Sequence, residues 1–144
     1  MIIKTIRDIL GGRPLHHIVP GATLREAAQI MERHDVGALA VLEGGTLAGI
    51  LSERDLVRRG VGQGLSPDDA TVAQVMSRDA VTVEIGDAIS DALAAKLGDA
   101  FRHLPVMEEG RVVGVLSYRD IPAEYLMMFE HFREMSGARA DEAS

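Results

Sequence analysis

The chain carries one segment twice. Gly49-Ile50-Leu51-Ser52-Glu53-Arg54-Asp55 returns as Gly114-Val115-Leu116-Ser117-Tyr118-Arg119-Asp120, with its Gly, Leu, Ser, Arg and Asp each reappearing 65 positions on. The same offset relates Gly21 to Gly86, Ala27 to Ala92, Leu39 to Leu104, Val41 to Val106 and Gly45 to Gly110. A duplication held in register over so much of a 144-residue chain restricts the fold to one supersecondary unit used twice. Neither copy can bury its apolar face alone, so the two pack together. Both copies place a polar Ser-x-Arg-Asp cluster at the end of a strand.

Within each copy the pattern is legible. Thr5 to Leu10 reads as a short helix whose counterpart is Thr71 to Met76. An extended segment follows, His17-Ile18-Val19-Pro20 in the first copy and Thr82-Val83-Glu84-Ile85 in the second. Thr23 stands at an N-cap with Glu26 at capping-box spacing, and Leu24, Ala27, Ala28 and Met31 fall on one helical face. Ile89, Ala92, Leu93 and Leu97 repeat that face, with Lys96 departing from it. Two apolar runs around a glycine-bearing turn then predict a hairpin, Ala38 to Leu51 and Leu104 to Leu116, each feeding a helix from Glu53 or Arg119 onward. The unit is β-α-β-β-α, twice, in an α/β (α+β) fold. Residues 1–65 hold the first copy with the N-terminal helix and the start of a linker, 66–125 the second copy, and 126–144 a C-terminal helical extension and tail.

Composition narrows the function classes. A formal net charge of -7 opposes nucleic acid and anionic membrane surfaces as partners, so an anionic ligand needs a local basic cluster. Met1 to Leu10 contains Lys4, Arg7 and Asp8 and reads as neither a signal peptide nor a membrane span, and the chain has no cysteine; both point to a cytoplasmic protein. No Gly-x-Ser-x-Gly elbow, Walker loop or His-Glu-x-x-His helix occurs, His16-His17 have no evident carboxylate partner, and His131 and Glu134, three apart, read as part of a solvated face with Glu130 and Arg133. The expectation is a protein with no catalytic residues and no metal.

Taken in order, Val19-Pro20-Gly21-Ala22-Thr23-Leu24-Arg25-Glu26-Ala27, Phe101-Arg102-His103-Leu104-Pro105-Val106 and both Gly-x-x-Ser-x-x-Asp segments resemble a tandem pair of cystathionine-β-synthase (CBS) domains, the unit called a Bateman module. The resemblance covers roughly residues 1 to 125. It implies two pseudo-symmetric clefts between the sheets, which in this family bind an adenosine-containing ligand such as AMP, ADP, ATP, NAD(H) or S-adenosylmethionine.

Onto that pattern the nucleotide-binding residues are carried over one by one. Asp120 and Asp55 match the carboxylates that accept the two ribose hydroxyls, a role suited to a two-oxygen acceptor. Ser117 and Ser52 stand where hydroxyl and backbone N–H meet ribose or phosphate, and Arg119 and Arg54 add charge beside them. A competing reading makes Ser-x-x-Asp an N-cap with a first-turn acid. Arg102 and His103 match a phosphate-reaching position, against a surface pair that ends a strand. Because Gly37-Ala38 occupy the equivalent place in the first copy, the Asp120 pocket ranks first and the Asp55 pocket second. By the resemblance, the base is held by Ile18, Val19, Ala22, Val36 and Gly37 in the first-ranked pocket. Val83, Glu84 and Phe101 hold it in the second, weaker one. Ordinary core packing is the alternative for all of these.

Pro122 falls where a first-turn proline is tolerated, so the helix from Arg119 is expected to continue to about Met135, with Ile121, Tyr125, Met128, Phe132 and Met135 spaced on one apolar face and Leu126, Met127 and Phe129 widening it. Such a surface predicts a homodimer; folding back on its own module is the alternative. The functional expectation is a non-enzymatic regulatory module that binds an adenosine-containing small molecule and signals to a separate effector protein. The alternative is a ligand-independent dimerisation scaffold.

Overall fold

The computed structural model describes residues 5–94, 102–128 and 130–131. Two three-stranded sheets carry the two copies. In the first, β1 (His17–Ile18) lies parallel to β2 (Ala38–Glu43), and β2 pairs antiparallel with β3 (Thr46–Ser52). In the second, β4 (Val83–Glu84), β5 (His103–Glu108) and β6 (Arg111–Ser117) repeat that order. The duplication extends to register: Ala38 faces Ser52 as His103 faces Ser117, and an irregularity between Val41 and Leu42 returns between Val106 and Met107. Both hairpins close on two consecutive left-handed residues, Gly44-Gly45 and Glu109-Gly110, the turn whose twist matches that of the strands.

The N-terminal helix α1 (Ile6–Leu10) and helix α2 (Leu24–His34) each start with a capping box, from Thr5 to Asp8 and from Thr23 to Glu26. Leu24, Ala27 and Met31 face the core from α2, whereas Ala28 is exposed. The left-handed Asp35 ends that helix. In the second copy α5 (Ile89–Ala94) buries Ile89, Ala92 and Leu93; Lys96 and Leu97 lie outside the described residues.

Each core is completed by a helix that sequence order assigns to the other half. Ile6 and Leu10 of α1 pack with Val83, Ile89, Leu104, Val106 and Leu116, while Arg7 pairs with Glu108 at 3.0 Å. The helix between the copies, α4 (Val72–Val75), does the converse, placing Val72, Val75 and Met76 against Ile18, Leu24, Leu39, Val41 and Leu51. Backbone bonds fix both exchanges. Ile6 N–H donates to the Asp87 carbonyl at 3.0 Å, and Val72 N–H to the Ala22 carbonyl at 2.9 Å. Residues 1–65 read as one unit in sequence; by packing, α1 belongs with the second sheet.

After the hairpins the copies diverge. In the first, the helix Glu53–Asp55 continues through a wide π-helical turn, Leu56–Gly60, and a 3-10 turn, Val61–Gln63. Gly60 is buried where Leu24 comes so near that an added Cβ would sit 3.0 Å from it. In the second, a 3-10 turn at Tyr118–Asp120 stops at Ile121, which is extended with ψ 125, and a new helix spans 123–128. Pro122 explains the break, since a proline drives the residue before it out of the helical region. The expected uninterrupted helix from Arg119 is therefore two pieces. Ile121 is buried and Tyr125 and Leu126 pack on the same core, leaving Met127 and Met128 exposed. The apolar face read as a dimer surface is thus split, with part of it turned onto its own module. Phe129, Phe132 and Met135 lie outside the described residues.

Candidate functional site

The sheets meet through β2, β3 and β6, and on either side of that contact lies a cleft. One has a volume of about 510 Å³ and contains Asp120, Ser117, Arg119, Arg102, His103, Val36 and Gly37. The other, about 880 Å³, contains Asp55, Ser52, Arg54, Arg102 and His103. The strand-end motif occupies equivalent places in both because β3 and β6 end identically in register.

At each strand end the Ser and Asp form a capping box. Ser52 N–H donates to Asp55 Oδ2 at 3.0 Å and Asp55 N–H returns to Ser52 Oγ at 3.1 Å. Ser117 N–H donates to Asp120 Oδ2 at 2.7 Å. Capping therefore accounts for one oxygen of each carboxylate, and the two readings of Ser-x-x-Asp are compatible. Both carboxylates are mostly covered, with side-chain exposures of 14% for Asp55 and 18% for Asp120.

Their second oxygens differ. Asp120 accepts from Arg13, Nη1 to Oδ1 at 2.9 Å and Nη2 to Oδ2 at 2.7 Å, and Nη2 also donates to the Val115 carbonyl at 3.3 Å. Burial pushes the Asp120 carboxyl up, but hydrogen bonds from Arg13 and Ser117 outweigh it and hold the group below its ordinary value. Asp55 Oδ1 meets only the distant Arg59 Nε at 3.9 Å among the described residues. Arg13 was not anticipated. Its partner lies 107 residues away, and an arginine in a glycine-rich loop gives no sign of its target.

Arg102 and His103 line both clefts, as does Glu53. They stand where the clefts join. Opposite them Gly37 leaves room for Glu53 and His103, since a Cβ there would lie 3.2 Å from Glu53 Oε1 and 3.4 Å from His103 Nε2. Burial pushes the His103 imidazole down, against the pull of Glu53 and Asp120.

Because of that shared position, Arg102 and His103 do not distinguish the two clefts in charge. The Asp55 cleft is lined by Arg54, Arg58, Arg78 and Arg102 against Glu53, Asp55 and Asp79. The Asp120 cleft has Arg13, Arg102 and Arg119 against Asp35, Glu53 and Asp120. Ion pairs among the described residues are Arg7–Glu108, Arg13–Asp120, Arg25–Asp68 and Arg59–Asp55. Arg54, Arg58, Arg78 and Arg102 therefore have no described carboxylate at ion-pair distance, and the cleft ranked second carries more uncommitted positive charge. The contrast between Arg102-His103 and Gly37-Ala38 does not separate the clefts, because residues at the junction serve both sides.

Several expected base-contacting residues lie elsewhere. Ile18 is core, since β1 alternates and its inward side chain packs under α2; Val19 is 56% exposed and Ala22 packs against the first core. Val83 is likewise core, and Glu84 is exposed, its N–H held by Asp87. Phe101 lies outside the described residues. Their places are taken by His16, His34 and Asp35 in the Asp120 cleft and by Ser77, Ala80 and Val81 in the other. The His16 and His34 rings stack with centroids 4.2 Å apart. Burial, then the neighbouring His34 and His17, lower the His16 pKa.

A profile of the CBS domain matches residues 6–62 and again 72–124. The chain belongs to the CBS-domain family. This CBS pair is 35% identical over 120 residues to Hypoxic response protein 1 of Mycobacterium tuberculosis, covering 83% of each chain. A crystal structure titled Hypoxic Response Protein I, with two coordinated zinc ions, superposes with a TM-score of 0.67 at 32% identity, covering 82% of this chain and 99% of that one. The CBS domain protein PAE2072 of Pyrobaculum aerophilum, complexed with AMP, superposes with a TM-score of 0.74 at 29% identity, covering 89% and 97%. Among the described residues no three His, Cys, Asp or Glu side chains converge as a metal site. No helix there is long and apolar enough to cross a membrane.

Proposed function

We propose that this CBS pair is a non-enzymatic regulatory module that binds an adenosine-containing ligand (AMP, ADP, ATP, NAD(H) or S-adenosylmethionine) in the clefts between its sheets and signals to a separate partner protein. The observation that carries this reading is the doubled cleft itself: a mostly covered carboxylate at a strand end, twice, with Arg102 and His103 shared between the two. A carboxylate suits adjacent ribose hydroxyls, and the arginines suit phosphate. The AMP complex of PAE2072 supports the ligand class. Ligand acts on the relative packing of the two halves, and it shifts that equilibrium only by its differential affinity for the alternative states. A homodimer is part of the reading, supported by exposed Met127 and Met128 and by exposed Val57 and Val61.

Thermal unfolding with each candidate ligand tests it. A ligand at 100 times its Kd adds about 2.7 kcal/mol, which raises the midpoint by roughly 5 to 10 °C in a domain of this size. Asp55→Ala and Asp120→Ala together should abolish the shift. No shift with any candidate would favour the scaffold reading.

A further inference from the structure

The two clefts are related by the 65-residue offset that carries Asp55 onto Asp120, and counted back from β1 and β4 the same offset carries Arg13 onto Arg78, within the connection where the copies differ by one residue. Equivalent arginines thus line equivalent clefts, each facing the carboxylate of the opposite copy. Their states differ. Arg13 is bound to Asp120 through both terminal nitrogens, whereas Arg78 has no described carboxylate at ion-pair distance and Asp55, beyond its capping bond from Ser52 N–H, meets only the distant Arg59 among the described cations. One molecule displays the contact made and unmade.

A carboxylate offers about four acceptor sites; at Asp120 the Ser117 N–H and the two Arg13 nitrogens already fill most of them, so both ribose hydroxyls cannot be accepted as well. Ligand entry at Asp120 therefore requires Arg13 to let go. The released group stays nearby. Arg13 N–H is held by the Leu10 carbonyl at 3.2 Å, Pro14 stiffens the next residue, and both Arg13 and Pro14 line the cleft with Arg102 and Arg119. The side chain swings while its backbone remains. With its side chain 42% exposed the freed group can turn to water, but an anion in the cleft offers it the charge-assisted partner that it loses in Asp120.

Resting on the proposed adenosine-binding function, we infer that Arg13 is a specificity-determining residue: it occupies the ribose carboxylate of the Asp120 cleft and yields it most readily to a ligand whose phosphates replace Asp120 as its partner. The cleft thereby favours phosphorylated adenosine compounds over neutral ones. The Asp55 cleft, already open, fills first.

Isothermal titration with adenosine and with ATP tests this in two backgrounds, Asp55→Ala to isolate the Asp120 cleft and Asp120→Ala to isolate the other. Arg13→Met keeps the aliphatic stem and removes the charge; Arg13→Lys keeps the charge without the two-point geometry and guards against a folding defect in the first variant. In the Asp55→Ala background, Arg13→Met should bind adenosine roughly three- to tenfold more tightly, while ATP binds no more tightly, so the preference for ATP narrows. Arg13→Lys should fall between the two, and the Asp120→Ala background should show no effect of either substitution. Equal changes for adenosine and ATP, or no change in either, would overturn the inference and leave the cleft assignment intact. Absence of binding by any variant, wild type included, would overturn the cleft assignment and this inference with it.

Discussion

Gly49 of β3 lies directly against the carbonyl of Ser77, so that a Cβ at residue 49 would fall well inside contact distance of that backbone oxygen. The neighbouring Ile50 and Ser77 exchange two backbone hydrogen bonds at 2.9 Å, tying the segment after α4 to the first sheet. At the equivalent Gly114 the neighbour is instead Leu10 Cδ1, 3.0 Å from an added Cβ. A backbone carbonyl in a bonded pair cannot retreat, whereas the end of a leucine can. Gly49→Ala should therefore destabilise by about 2 to 3 kcal/mol and Gly114→Ala by less than about 1 kcal/mol. Urea unfolding of the two variants checks the contrast, and equal losses would count against it.

The exchange of α1 and α4 makes a regional prediction. Ile6 is fully buried in the second core, so Ile6→Ala should cost about 2 to 4 kcal/mol. Hydrogen exchange should accelerate first at Leu104, Val106 and Leu116, while Leu39 and Val41 keep their protection longer. The reverse order would mean that α1 serves the first sheet.

Acidification should weaken the fold through His103 and His16. Both are held below the ordinary 6.5, so the unfolded chain takes up protons more readily than the native one. Their stabilising contribution is complete above pH 6.5 and is lost as pH falls through the folded values. His103→Gln should flatten the dependence of stability on pH between 7.5 and 5.5; an unchanged slope would remove His103 from this account. Asp120 acts in a lower window, with its contribution present above 3.8 and lost as pH falls through its depressed folded value.

In the Asp55 cleft Arg58 and Arg78 stand without described carboxylate partners. Replacing both by alanine should weaken ATP binding there by roughly tenfold or more, with adenosine changed by less than about threefold. Wild-type ATP affinity should fall as salt is raised, and the variant should show a shallower salt dependence. Parallel losses for both ligands would point to a folding defect instead.

The periodicities of the sequence made the units legible: the capping box at Thr23, the apolar face of α2, the hairpins around Gly45 and Gly110, and the strand-end positions of Asp55 and Asp120. Each depends on residues within a few positions of one another, where local geometry dictates the result. Ile18 and Val83 read equally well as cleft or core, because an apolar side chain carries no mark of what faces it.

By itself the sequence determined that one β-α-β-β-α unit is used twice and that both copies end a strand in Ser-x-Arg-Asp. Only tertiary structure decided which helix completes which core, that Arg102 and His103 serve both clefts, and that Arg13 closes on Asp120 while Arg78 leaves Asp55 open. The reason is physical. Repetition encodes a local fold through short-range hydrogen bonds and turn geometry, whereas pairing across more than 100 residues depends on how two near-identical surfaces settle against each other. The small differences between copies that decide that settling have no period to be read.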